Sequence, residues 1–469
     1  MTHYLTWQER QMLQAARKQP SRAKRLSRLG GRSLALFGLL IGITTVIVGL
    51  PFETVQQPLE TALAASFMTG RADARVSQAP KYPTPAKRFL TKQEVGTLLG
   101  TPSFPPGNEQ NVSITASTGE KFVVNTTLDP DLQQYVHDLF EQYSPPYAAF
   151  VAMDPETGRI KAMVSYLQNG RDENLCIQSK YPAASLFKII TATAAIERKD
   201  YYPDDTIAYN GAAYQLDPRF LTKETNSYSH RISLRESFAK SINMVFGKLG
   251  VFSVGREILE EYAHRFYFNR PITFELPLEK STAEVPADDY PLAKVASGYN
   301  RETSLSPIHG AMLAAAVANS GIMIEPTFIK KITDQSGNVV YYGRPTCLGR
   351  IMSPRTAAEM KVLMSATITQ GTCASFFRQA VRTSNLCNVS LGGKTGTMFS
   401  SDGALKYNWF SGYGIDHDGK EIAISVLVIN RASIRVKAKN VAGMALRHYF
   451  THNKSLAARG SGHSVDRTM

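Results

Sequence analysis

Cysteine is scarce in this chain of 469 residues: four in all, at positions 176, 347, 373 and 387. No two of them form a CxxC pair, which argues against a zinc knot and against a thioredoxin-type redox site. Internal repeats and low-complexity tracts are also lacking. So is any surplus of charge in the body of the protein, although the formal net charge is +14. Residues 1–32 hold eight Lys/Arg against one acid and residues 431–469 again eight against one, whereas 51–124 hold seven against six and 125–430 hold 30 against 31. A basic body that grips nucleic acid is thereby excluded. What is present is ordinary: 43% apolar and 20% charged residues, enough for a sizeable core or for two to three packed units.

One stretch departs from the ordinary. Ser33–Leu50 (SLALFGLLIGITTVIVGL) is 18 residues without a charge, and as a helix it spans roughly 27 Å, close to a bilayer's hydrocarbon core. Arg17, Lys18, Arg22, Lys24, Arg25, Arg28 and Arg32 precede it, and Pro51 and Glu53 follow. The one-sided basic flank sets the N-terminus in the cytoplasm and exports everything after residue 50. Ala62-Leu63-Ala64 offers a small-residue cleavage site, but it lies far beyond the apolar run, so an uncleaved anchor is the favoured reading. In an oxidising compartment Cys373 and Cys387, close in sequence, can close a small disulfide loop.

Along the exported part, residues 51–124 read as a Pro-punctuated stalk. Asp129-Pro130 predicts a capped helix running to Tyr143. Residues 148–154 and 160–166 flank a turn and read as a β-hairpin. A helical region is predicted from Ser185 to Glu197, another after the capping box Ser233-Leu-Arg-Glu236, and two more after Ser306-Pro307 and Ser353-Pro354. Residues 391–399, 407–415 and 421–430 read as strands, followed by a helix over 442–450 and a loose tail. The fold expected is of α+β type: an antiparallel sheet flanked by helices, plus a helical lobe.

Three short motifs stand in order: Ser185-Leu-Phe-Lys188, Ser241-Ile-Asn243 and Lys394-Thr-Gly-Thr397, separated by 56 and 153 residues. Serine and lysine three apart share one helix face. A serine hydroxyl becomes a nucleophile only when a base takes its proton, and lysine serves if burial or a second cation lowers its pKa. Leu186, Phe187, Ile189 and Ile190 surround Lys188 with apolar residues, and Lys394 supplies the second cation. Ser241 can hand a proton to a leaving amine and Asn243 can hold an amide. Gly396 leaves room for a substrate backbone added to the strand, while Thr395 and Thr397 with Lys394 can bind a carboxylate. Taken singly, each motif reads as a helix cap, a snorkelling lysine or an edge strand; only the ordered set points to chemistry.

That set resembles the transpeptidase domain of penicillin-binding proteins. The likeness extends over roughly 125–450 and includes Thr126–Gln133, Val151–Gly158, Gly298-Tyr299 with Leu305-Ser-Pro307, Ala318–Gly321 and Trp409-Phe410-Ser-Gly-Tyr413. The resemblance implies a peptidoglycan D,D-transpeptidase. Ser185 attacks the D-Ala-D-Ala bond of a stem peptide, Lys188 is the base, Ser241 the proton shuttle, and Asn243 binds the donor peptide. The backbone N–H groups of Ser185 and Thr397 form the oxyanion hole, and Lys394, Thr395 and Thr397 bind the terminal carboxylate, or that of a β-lactam. No metal or organic cofactor is implied. The partners implied are stem peptides, β-lactams, the membrane and a separate glycan polymerase or division complex, at the inner membrane with the catalytic domain in the periplasm. The domains expected are a basic tail (1–32), anchor (33–50), stalk (51–124), transpeptidase domain (125–455) and flexible tail (456–469). The stalk is too short for a glycosyltransferase domain, and Asn300 stands where relatives often carry a second glycine.

Other readings are weaker. A class A β-lactamase would carry a Glu-x-x-Leu-Asn segment between Ser241 and Lys394, and none is present. A D,D-carboxypeptidase, using water as acceptor, is compatible with the same motifs. A non-catalytic β-lactam sensor or division scaffold fits poorly with intact motifs and a 32-residue cytoplasmic tail. His448 and His452, at i,i+4 spacing, lack a third ligand for a metal, and Arg435, Lys437 and Lys439 read as a solvated face.

Overall fold

Asp129 accepts from the backbone N–H groups of Asp131 and Leu132 and Pro130 takes the first helical position, so a helix starts where the sequence predicts one. The computed structural model describes residues 89–100, 107, 109–170, 173–383 and 385–460. The basic tail and the anchor segment Ser33–Leu50 lie outside them. Among the described residues no helix is long and apolar enough to cross a membrane.

In chain order the elements that matter are α1 (Lys92–Leu99), β1 (Asn111–Thr115), β2 (Lys121–Thr126), α2 (Pro130–Tyr143), β3 (Tyr147–Met153) and β4 (Ile160–Leu167). A 3₁₀ turn (Ala184–Phe187) runs into α3 (Lys188–Lys199), followed by α4 (Leu234–Lys240), α5 (Asn243–Leu249), α6 (Asp289–Ser297) and α7 (Pro307–Ala318). Then come β5 (Ile329–Asp334), β6 (Val339–Tyr342), α8 (Pro354–Thr369), β7 (Val389–Phe399), β8 (Lys406–Asp416), β9 (Glu421–Asn430) and α9 (Ala438–Gly460).

A five-stranded antiparallel sheet in the order β7-β8-β9-β3-β4 organises the domain. Its strands alternate between two cores, as a sheet covered on both faces requires. From β3, Ala149, Val151 and Met153 enter one core and Ala148, Phe150 and Ala152 the other. Helix α7, buried along its whole length, packs on β9, β8 and β3 in the first core. Helices α2 and α9 cover the opposite face. Gln133 ties α2 to β4, donating to the Met163 carbonyl at 3.0 Å and accepting from the Met163 N–H at 2.8 Å. The α+β architecture with a helical lobe is therefore as expected.

Three expectations change. The end of the supposed stalk is not extended chain: α1 is capped by a complete Thr91–Glu94 box, and β1 and β2 form a hairpin. Strand β2 pairs with β5, giving a second sheet in the order β1-β2-β5-β6. The alternation that buries Val112 and Val124 was present in the sequence, but its partners lie 200 residues away, beyond the reach of local patterning. The last helix runs over Ala438–Gly460 rather than 442–450, taking in the supposed loose tail as far as the structure describes it. The helix predicted from Ser185 begins instead as a 3₁₀ turn, with Ala184 at φ +49°.

Candidate active site

The three motifs meet between the 3₁₀ turn, the α4–α5 junction and strand β7. Ser185 lies in the turn, and one step later Lys188 opens α3, its side chain fully buried. The lysine Nζ lies 2.9 Å from Ser185 Oγ, 2.7 Å from Asn243 Oδ1 and 2.5 Å from the Ser297 carbonyl. Burial, with the Lys394 ammonium adding repulsion, holds the Lys188 pKa well below the usual 10.5. The apolar flank that predicted this desolvation is Leu186, Phe187, Ile189 and Ile190, all buried.

Ser241 ends α4 in the left-handed region at φ +60°, and Asn243 opens α5. The motif therefore occupies the break between two helices. Asn243 donates through Nδ2 to the Tyr214 carbonyl at 2.8 Å while its Oδ1 accepts from Lys188. Both ends of the amide are held by the protein.

Strand β7 is an edge strand, pairing with β8 and packing on its flank against the 3₁₀ turn. In register, Lys394 faces Ser411, Thr395 faces Phe410 and Thr397 faces Asn408. Lys394 is fully buried, and burial pushes its pKa down to about 7. Its Nζ donates to Ser241 Oγ at 2.8 Å and to the Thr395 carbonyl at 2.9 Å. Thr395 and Thr397 project from the alternate positions of the strand and are half-buried. Thr395 Oγ1 lies 2.6 Å from Thr372 Oγ1, and Thr397 Oγ1 accepts from Asn408 Nδ2 at 3.3 Å.

Gly396 lies close against the turn that carries Ser185. A Cβ there would stand 3.3 Å from Ala184 Cβ and 3.4 Å from the Ala183 carbonyl, so the missing side chain makes room for the turn that carries Ser185. Two further residues seat that turn. A Cβ on Gly298 would fall 1.9 Å from the Ala184 carbonyl and 3.1 Å from Ser185 N. Trp409 donates from Nε1 to the Pro182 carbonyl at 2.8 Å. Asn300 does not need to be glycine: it is absent from the positive-φ residues, and its Nδ2 donates to Thr303 Oγ1 at 2.8 Å.

The disulfide considered between Cys373 and Cys387 is not formed. All four cysteines are free; Cys373 is buried and Cys387 exposed, so the two thiols face different surroundings. Burial raises the Cys373 thiol to about 12. Among the described residues no three His, Cys, Asp or Glu side chains gather to hold a metal. His448 instead sits 2.5 Å from Asp131 and stacks on Tyr135 at 3.9 Å, joining α9 to α2; the His452 side chain lies outside the described residues. Sequence reasoning missed the Ser297 and Tyr214 carbonyls, which carry no side-chain signature, and gave Gly298 no role in seating Ser185.

Comparison with known proteins places the chain in a family. The family model for the penicillin binding protein transpeptidase domain matches residues 148–447. The chain is 27% identical over 355 residues to the peptidoglycan D,D-transpeptidase PbpA of Mycolicibacterium smegmatis, covering 65% of this chain and 67% of that protein. It is 29% identical over 279 residues to the PbpA of Mycobacterium tuberculosis, covering 51% of this chain and 55% of that protein. It thus spans little more than half the length of the second relative. The crystal structure of the M. tuberculosis PBPA superposes with a TM-score of 0.56 at 25% identity, covering 69% of this chain and 79% of that one. The ceftriaxone acyl-enzyme complex of the same protein gives 0.57 at 26%, covering 70% and 79%.

Proposed function

We propose, from the premise that this chain belongs to the penicillin-binding protein transpeptidase family, that it is a peptidoglycan D,D-transpeptidase whose nucleophile is Ser185. The observation that carries the assignment is the buried Lys188 amine, 2.9 Å from the Ser185 hydroxyl and depressed in pKa. A neutral amine in a dry pocket is the base that an unactivated hydroxyl needs.

In the forward reaction a stem peptide ending in D-Ala-D-Ala lies along the open edge of β7, and its terminal carboxylate meets Thr395, Thr397 and the Lys394 cation. Ser185 Oγ attacks the penultimate carbonyl as its proton passes to Lys188 Nζ. The oxyanion forms against the N–H groups of Ser185 and Thr397, a stabilisation of about 3–4 kcal/mol per donor. Ser241, held by Lys394 at 2.8 Å, returns the proton to the departing D-Ala amine as the C–N bond breaks. An amine from a neighbouring stem then attacks the ester, gives up a proton and frees Ser185, leaving a crosslink. A β-lactam presents the same type of carbonyl and carboxylate and stops at the acyl-enzyme.

The uncleaved anchor at residues 33–50 holds the domain on the outer face of the inner membrane, and a separate polymerase supplies the glycan. Two assays test this reading. A fluorescent penicillin labels the full chain covalently and leaves the Ser185→Ala variant unlabelled; retained label refutes the nucleophile. Incubation with pentapeptide-bearing glycan yields crosslinked dimers; tetrapeptide monomers alone identify a D,D-carboxypeptidase.

A further inference from the structure

On the side of the domain opposite the active-site edge, a pocket of about 350 Å³ opens between the β3–β4 turn and the β5–β6 hairpin, lined by Arg159, Lys330, Lys331, Tyr342 and Arg344. Strand β4 is the far edge of the five-stranded sheet from β7, so this pocket is no part of the Ser185 site.

Four cations converge here in a protein whose body is close to neutral, and among the described residues none of the four forms an ion pair. Three acids on the flanking segments are otherwise engaged. Asp154 Oδ1 accepts from the N–H groups of Glu156 and Thr157 at 3.1 and 2.9 Å. Glu325 holds Lys92 at 2.6 Å, and Asp334 Oδ1 accepts from the N–H groups of Ser336 and Asn338 at 3.0 and 2.9 Å. Arg159 Nε is buried with no hydrogen-bond partner. A buried donor left unmade is costly, and clustered like charges repel. An anion in the pocket relieves both at once.

We propose that this pocket binds a phosphate-ester anion. Phosphate oxygens match the planar fork of arginine, and a group carrying one to two charges offsets several cations together. The surroundings favour a phospholipid headgroup as the source. Leu90 N–H donates to the Val340 carbonyl at 2.8 Å, and the Phe89 ring lies 6.0 Å from that of Tyr342, so the segment before α1 packs beside the pocket. Phe89 and Tyr342 are 53% and 46% exposed. Exposed aromatics beside cations are the composition of surfaces that lie on membranes.

The test is calorimetric titration of the full chain, in a neutral maltoside, with dihexanoyl-phosphatidylglycerol and separately with glycerol 3-phosphate. Binding of at least one probe is expected, weakening with added salt. Arg159→Gln and Arg344→Gln are each expected to lose roughly tenfold in affinity, the loss of one charge-assisted contact, while Arg435→Gln binds as the parent. Phosphatidylglycerol binding more than tenfold tighter identifies the lipid source; glycerol phosphate binding equally or more tightly identifies a soluble phosphate ester. Labelling by penicillin at the parental rate certifies each variant as folded. If Arg159→Gln fails that check, Lys330→Gln takes its place, since Lys330 and Arg344 are both exposed. Binding of neither probe, parental affinity in Arg344→Gln, or an equal loss in Arg435→Gln overturns the proposal.

Discussion

Replacing Gly298 with alanine isolates the seating of the nucleophile's turn. The residue closes α6 at φ +62°, and its Cβ would lie 1.9 Å from the Ala184 carbonyl oxygen. A relaxed carbon–oxygen contact is about 3.3 Å, so one backbone must retreat by about 1.4 Å. Ala184 is itself in the left-handed region, and Ser185 N lies 3.1 Å from the same Cβ, so the displacement falls on the reacting residue. A shift of this size in a reacting group costs roughly 100-fold in rate. The left-handed conformation adds about 1 kcal/mol of destabilisation, equivalent to a few degrees in Tm. Gly419→Ala is the control, because Gly419 has φ +78° and open space around its Cβ. It bears the conformational cost without the collision. The assay is the second-order rate of labelling by fluorescent penicillin, with Tm measured alongside. Both variants should lose stability, Gly298→Ala more than Gly419→Ala, and only Gly298→Ala should lose acylation, by about 100-fold. Acylation of Gly298→Ala within threefold of the parent, with a similar loss of Tm, refutes the argument.

Lys394→Met removes a cation that holds Lys188 below its usual pKa. Lys188 then keeps its proton to higher pH, and the acid limb of the labelling rate moves in the alkaline direction; Lys394→Arg keeps the charge and should leave the limb nearer the parent's, as a pH–rate series will read. The exposed Cys347 and Cys387 should react with maleimide in the native protein, and the buried Cys176 and Cys373 only after denaturation. A mass two hydrogens lighter than the fully reduced chain would show a disulfide and contradict the structure.

Local signals in the sequence placed most of the frame because the residues that cap helices and alternate in strands carry their own explanation. Asp129-Pro130, Ser306-Pro307 and Ser353-Pro354 each open a helix through a side-chain oxygen accepting backbone N–H groups. Strand β9 covers residues 421–430, the span its content of β-formers predicts. Long-range pairing was another matter. Nothing within the β1–β2 hairpin specifies β5 as its neighbour, so a packed sheet edge read as stalk. In the site, Ser185, Lys188, Ser241 and Lys394 were legible because side chains bear their chemistry. Backbone carbonyls do not, and neither does a glycine whose purpose is to be absent from a space, as Gly298 is.

In the proposed mechanism those unannounced carbonyls decide which way the Ser185 proton travels. A neutral lysine amine has two N–H donors and one lone pair. The Ser297 carbonyl can only accept, and it lies 2.5 Å from Lys188 Nζ. Asn243 could in principle present either end of its amide, but the Tyr214 carbonyl takes the Nδ2 donor and so turns Oδ1 toward the lysine. Two acceptors consume the two N–H bonds. Once the amine is neutral, its lone pair is left for the third neighbour, Ser185 Oγ, 2.9 Å away and the one group of the three with a proton to give. Burial removes water as a competing donor and lowers the cost of losing the charge. A lysine that would otherwise be an ordinary cation is thus directed, by one amide and one carbonyl, to accept from a single hydroxyl.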